Sequence, residues 1–77
     1  MPPNSSQLGS AIRRLRTERE LTIESLASAA GIHWTYLTGI ERGQRNPSWK
    51  VVAAIAGALE VKVSELAILA EAVAEGS

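Results

Sequence analysis

Cysteine, aspartate and phenylalanine are all missing from this 77-residue chain, and histidine occurs once. Each absence removes a function class or a means of stabilisation. Without cysteine there is no disulfide and no thiolate metal site. One histidine cannot hold zinc alone. No metal and no other cofactor is expected. No nucleophile is paired with a base, and there is no Gly-rich phosphate loop of the GxxxxGKS kind, so an enzyme is not expected. No apolar run approaches the roughly 18 residues of a membrane span, so no membrane partner is expected. Met1-Pro2-Pro3-Asn4 has neither the basic nor the apolar region of a secretory signal, which leaves the cytoplasm as the default.

What is present describes a folded globular domain. Apolar residues make up 45% of the chain and charged residues 21%, outside the composition of disordered segments. The length allows one domain. A chain this short buries only about 60% of its unfolded surface, so helix packing or self-association must supplement the core. The formal net charge is zero, which taken whole argues against a nucleic-acid partner. Its distribution argues otherwise. Residues 1–50 carry Arg13, Arg14, Arg16, Arg19, Arg42, Arg45 and Lys50 against Glu18, Glu20, Glu24 and Glu41, a net +3. Residues 51–77 carry Lys62 against Glu60, Glu65, Glu71 and Glu75, a net −3. The pattern suggests a basic working end and an acidic far end.

Five helical segments follow from periodicity, with no alternating strand pattern and no internal repeat. Residues 1–5 read as a loose arm and residues 6–77 as one domain. Ser5 or Ser6 is the expected cap of the first helix, which runs to about Glu20 with Leu8, Ala11, Ile12 and Leu15 as its buried stripe. Thr22 caps the second, whose inner face is Leu26, Ala27 and Ala30 and which Gly31 ends. The third spans about 33–42, with His33 a mediocre N-cap, Leu37 and Ile40 inward, and Gly43 in the left-handed position after it. The fourth begins either with Asn46 as cap and Pro47 at the first helical position, or with Ser48 as cap. Val51, Val52, Ile55, Ala56 and Leu59 form its core face, with Gly57 expected to permit a close contact. Ser64 is the expected cap of the fifth, with Val63 and Ile68 spaced as a hydrophobic staple. That helix, about 64–75, is apolar nearly all round. A terminal helix of so small a domain cannot bury two faces against its own chain, and the surplus face suggests a partner. Leu66, Leu69 and Val73 line up at three- and four-residue spacing as the expected dimer interface.

The stretch from Gly31 to Pro47 bears on function. A glycine separates two short helical patterns, and the second carries polar and aromatic groups opposite Leu37 and Ile40. A short helix, a tight turn and a second helix with an outward chemical face make a helix-turn-helix, whose second helix enters the DNA major groove.

From Leu8-Gly9 through Leu66 the chain resembles the lambda-repressor-like family, of the Cro/CI or Xre type. The segments that carry the resemblance are Leu26-Ala27, Ala30-Gly31-Ile32, Ile40-Glu41-Arg42-Gly43, Arg45-Asn46-Pro47-Ser48, Leu59-Glu60-Val61 and Ser64-Glu65-Leu66. It implies an all-α, five-helix DNA-binding domain with the helix-turn-helix at helices two and three. Within the family, Thr35 to Arg42 followed by Arg45-Asn46 looks like the controller proteins of restriction–modification systems, which are short dimeric transcription regulators. The chain departs from the family pattern in two places, one at Ile23 and one at His33-Trp34. Ile23 stands where a glutamine usually meets a phosphate, so Thr22 carries that contact or it is absent. His33 and Trp34 stand where a Ser or Thr cap and an Arg or Gln are usual. Tryptophan donates one hydrogen bond and cannot make their bidentate base contact.

The resemblance places Trp34, Thr35, Thr38 and Gly39 on the outer face of the recognition helix. Trp34 and Thr35 are then expected to meet base edges, Thr38 bases or backbone, and Gly39 to admit close approach. The alternative for Trp34 is packing on a neighbouring helix. Tyr36 bonds a phosphate or base, or fills space under helix two. Arg42, Gln44, Arg45 and Asn46 follow in a loop that the family lays along the sugar–phosphate backbone, where Arg45 and the loop amides suit phosphate. Glu41 is expected to pair with Arg13 or Arg16. One or two of Arg13, Arg14, Arg16 and Arg19 are expected at phosphate, the rest on a solvated face. His33 reads as a surface residue and Trp49 as half-buried core. The expected function is sequence-specific binding of double-stranded DNA by a homodimeric transcriptional regulator on a palindromic operator, with control of a restriction–modification operon as its narrower form. The rival is an interaction module, an antitoxin or adaptor that uses the same fold to bind a second protein through helix five.

Overall fold

The computed structural model describes residues 4–76, with side chains through Val73. Five helices follow in order: α1 (Ser5–Glu18), α2 (Ile23–Ala30), α3 (Trp34–Glu41), α4 (Trp49–Ala58) and α5 (Val63–Gly76). No strand occurs among the described residues. No helix among them is long and apolar enough to cross a membrane. Of the expected arm, residues 1–3 lie outside the described residues.

Local chemistry fixes each helix start. Asn4, not Ser5 or Ser6, caps α1: its Oδ1 accepts from Gln7 N at 2.9 Å, and the Gln7 side chain answers on the Asn4 N–H. This capping box satisfies two otherwise orphaned donors, and it draws Ser5 into the helix rather than leaving it in an arm. Thr22 and Ser25 form the same reciprocal box at α2. Ser48 caps α4 by accepting from Val51 N at 3.3 Å, which settles the choice against Asn46. Helix α5 starts one residue before the expected Ser64 cap. Lys62 takes the cap position, its carbonyl accepting from Leu66 N at 3.1 Å and its N–H donating to Glu65 Oε1 at 3.1 Å. Val63 is therefore inside the helix, and the staple with Ile68 does not form: Ile68 is 65% exposed.

The first four helices share one ending. A residue just past each helix takes a left-handed conformation: Glu20, Gly43 and Glu60 follow their C-caps, and Gly31 is itself the C-cap of α2. In each, the residue that follows returns its N–H to a carbonyl near the helix end, as Leu21 does to Arg16 at 3.0 Å and Gln44 to Gly39 at 2.8 Å. This is the Schellman motif. Glycine was readable at two of these ends, but glutamate occupies the other two. The first helix accordingly stops at Glu18, short of the expected Glu20.

The core gathers Ala11 and Ile12 of α1, Leu26 and Ala27 of α2, Leu37 and Ile40 of α3, Ile55 and Ala56 of α4, Leu59, and Leu66 and Ala70 of α5. Helix α1 packs on α3 and α5, and α2 on α3 and α4. The crossing of α1 over α3 is close because residue 9 is glycine. A Cβ there would strike the carbonyl oxygen of Ile40 and lie 2.7 Å from that of Glu41. Three expectations fail in the packing. Leu66 is fully buried in the monomer, so it cannot serve a dimer interface; it closes the core beneath α1. Trp49 is 73% exposed rather than half-buried, lying at the rim of a cleft it lines with Leu8 of α1 and Val63 and Ala67 of α5. Gly57 is exposed with nothing near its missing Cβ, so it admits no close contact.

Candidate nucleic-acid interface

Helix α3 is only eight residues long, marginal as an isolated helix. Its ends and neighbours therefore define its position. At its start, His33 Nδ1 accepts from Thr35 N at 3.1 Å, so the imidazole does the work of the missing Ser or Thr cap. The same ring stacks on the Trp34 indole, centroids 5.8 Å apart and planes inclined by 29°. At the other end, Glu41 is clamped to α1. Arg16 donates Nε to Oε2 at 2.8 Å and Nη2 to Oε1 at 3.1 Å, and its Nη1 donates to the Leu21 carbonyl at 2.9 Å. Of the two partners expected for Glu41, the structure selects Arg16; Arg13 lies nearby on the exposed face of α1.

Between these ends, α3 turns Leu37 and Ile40 into the core and leaves Trp34 half-exposed and Thr35 exposed. Thr38 is partly exposed and donates its hydroxyl to the Trp34 carbonyl at 3.0 Å. Tyr36 is partly buried against the core, which favours the space-filling role beneath α2 over an outward contact. Gly39 is the correction on this helix. It is buried, not on the outer face, and a Cβ there would lie 2.6 Å from Arg45 Cγ. The close approach it allows is that of the chain's own Arg45 stem.

The loop after α3 folds back on that helix. Gly43 N donates to Ile40 O at 3.0 Å, while Gln44 N and Arg45 N both donate to Gly39 O. These amides are consumed internally, contrary to the expectation that they face phosphate. The exposed side chains of Arg42, Gln44 and Arg45 remain as the donors of the loop. Asn46 is exposed too, but its Oδ1 accepts from Ser5 Oγ at 3.3 Å, pinning the loop to the start of α1. The Thr22 hydroxyl accepts from Ser25 N and donates to Ser25 Oγ, both at 3.0 Å, so it serves the cap of α2. Arg13, Arg42 and Thr38 line a shallow cleft beside the Arg16–Glu41 pair, and Trp34, Thr38 and Arg42 line another with Ile23 and Glu24.

Two short helices joined across Gly31, the second presenting an aromatic and hydroxyl face with cations at its end, make a helix-turn-helix unit. The chain belongs to the helix-turn-helix domain family, whose model matches residues 7–69. Among curated relatives, it is 42% identical over 59 residues to the immunity repressor protein of Bacillus phage phi105, covering 77% of this chain and 41% of that one. The chain thus spans about two fifths of that relative's length. Among solved structures, it resembles the restriction-modification controller protein C.AhdI from Aeromonas hydrophila at 39% identity and a TM-score of 0.79, covering 80% of this chain and 94% of that one. It also resembles controller protein C.Esp1396I bound to a 25 base pair operator site, at 30% identity and a TM-score of 0.83, covering 91% and 92% of the two chains.

Proposed function

We propose that this chain is a sequence-specific double-stranded DNA-binding transcriptional regulator that lays α3 in the major groove. The observation that carries the reading is the exposure of Trp34 and Thr35 at the start of a helix whose far end leads to the exposed cations Arg42 and Arg45. Base edges meet Trp34, Thr35 and Thr38. Phosphates meet Arg42, Gln44 and Arg45, with Arg13 on the flank. The likeness to a controller protein bound to its operator supports this arrangement, and the likeness to two such proteins supports a role in controlling a restriction–modification operon.

The reading includes a homodimer. Leu69 and Val73 are only partly buried, and Ile68 and Ala72 are exposed, which leaves an apolar α5 surface that a second copy covers. A two-fold dimer presents two copies of α3 about 34–36 Å apart, one turn of DNA, and requires a palindromic site. The test is selection of binding sites from a random duplex library, followed by titration with Thr35→Ala. Selection of an inverted repeat, and a loss of about 1–3 kcal/mol on it but little on random DNA, is the expected result. Equal weakening on both sequences removes the base-reading role of Thr35; recovery of no preferred sequence removes the function.

A further inference from the structure

Threonine hydroxyls ordinarily both donate and accept, so they discriminate poorly between base edges. On α3 that freedom is lost twice, by independent contacts. The Thr35 backbone N–H donates to His33 Nδ1 at 3.1 Å, a geometry that requires a lone pair on Nδ1 and leaves the ring proton on Nε2. Thr35 Oγ1 lies 2.7 Å from the same Nδ1. The single Nδ1 lone pair is then shared by the amide and the hydroxyl in a three-centre arrangement, with the hydroxyl proton between Oγ1 and Nδ1. Thr35 is left with acceptor lone pairs only. Thr38 reaches the same condition by another route, with its proton on the Trp34 carbonyl at 3.0 Å.

From this we propose that His33 sets the polarity of base reading. With Thr35 and Thr38 held as acceptors, α3 selects bases by their exocyclic amino groups, adenine N6 or cytosine N4, and disfavours the carbonyl edges of guanine and thymine. The major-groove amino group of each base pair belongs to one strand only, so an acceptor face also fixes which strand of the half-site faces each hydroxyl. His33 acts here as a positioning residue through Thr35, beyond its work as a helix cap.

The inference rests on the proposed entry of α3 into the major groove, and the experiment separates the two. The preferred duplex is first selected from a random library with the wild-type protein. Each adenine or cytosine in it is then replaced singly by its analogue without the amino group, purine or 2-pyrimidinone, and in separate duplexes each A·T pair is exchanged for G·C and each C·G for T·A. The wild type should lose about tenfold in affinity on removal of the amine at the Thr35 pair and at least as much on its replacement by a carbonyl. Thr35→Val should be indifferent to removal of that amine. His33→Ser keeps a capping oxygen for the helix but takes the nitrogen acceptor away from Thr35. It should retain the wild-type circular dichroism spectrum yet accept the carbonyl base within about threefold, because the freed hydroxyl can donate. A merely structural role for His33 would weaken all duplexes alike. The polarity is overturned if wild-type binding ignores loss of every amine, if the carbonyl base is preferred at the Thr35 pair, or if His33→Ser discriminates as the wild type does. Recovery of no preferred sequence would overturn the groove reading itself.

Discussion

Arg16 grips both carboxylate oxygens of Glu41 across 25 residues of sequence. The pair is nearly closed to water, with 14% of the arginine side chain and 5% of the glutamate side chain exposed. It joins α1, the turn at Leu21 and the end of α3 in one arrangement. Such a pair holds geometry more than it adds stability, since desolvation offsets much of its attraction, whereas removal of one partner strands the other.

Glu41→Ala should therefore cost about 3 kcal/mol in urea unfolding, while the apolar double variant Arg16→Met with Glu41→Leu should recover most of that loss. If the single variant unfolds at the wild-type urea midpoint, the pair is not holding α3 to α1.

At position 9, alanine should be poorly tolerated although it is the better helix former. Its methyl group meets the carbonyls of Ile40 and Glu41, backbone atoms that cannot rotate away. Overpacking of this kind costs about 1–3 kcal/mol. A rise in melting temperature for Gly9→Ala would show that α1 can shift without loss.

Glutamate at 20 and 60 holds φ of 55° and 60°, where a side chain costs about 1 kcal/mol. Glu20→Gly and Glu60→Gly should each raise the unfolding free energy by a few tenths to about 1 kcal/mol, net of the added unfolded-chain entropy. Thermal and urea melts decide this, and destabilisation in both variants would mean the glutamate side chains contribute contacts of their own.

Arg45 is expected to act on DNA of any sequence. Arg45→Ala should lower the slope of log affinity against log salt by about 1 and weaken random and selected duplexes alike. Gly39→Ala displaces the Arg45 stem and should reproduce part of that loss, with no further effect when Arg45 is already alanine. Additive losses in the double variant would separate the two residues.

For the proposed dimer, the informative substitution is Ile68→Glu, because Ile68 is exposed on α5 whereas Leu66 is sealed in the core. Light scattering at micromolar concentration should show a dimer for the wild type and a monomer for Ile68→Glu, with operator binding much weakened. Leu66→Ala should instead cost about 2–5 kcal/mol of stability whatever the oligomeric state. A wild type that stays monomeric both free and on DNA contradicts the dimer.

The sequence alone determined the order and approximate extent of the five helices, because apolar spacing, Thr22 and the glycines at 31 and 43 are local signals. The family resemblance carried by those segments narrowed the partner of Glu41 to two arginines and implied an outer-face place for Trp34 and Thr35 on α3. Tertiary structure decided the rest. Whether Leu66 or Ile68 faces outward depends on where α1 lies against α5, since a helix apolar all round carries no preferred direction. Gly39 is equally suited to an open groove or to a neighbour's side chain, and only the returning loop makes that neighbour Arg45. Arg16 and Arg13 sit three residues apart on one helix, close enough that the crossing of α1 over Gly9 had to choose between them. The acceptor state of Thr35 lay furthest from view. A histidine two residues upstream has no fixed meaning until the cap geometry aims its lone pair at the hydroxyl.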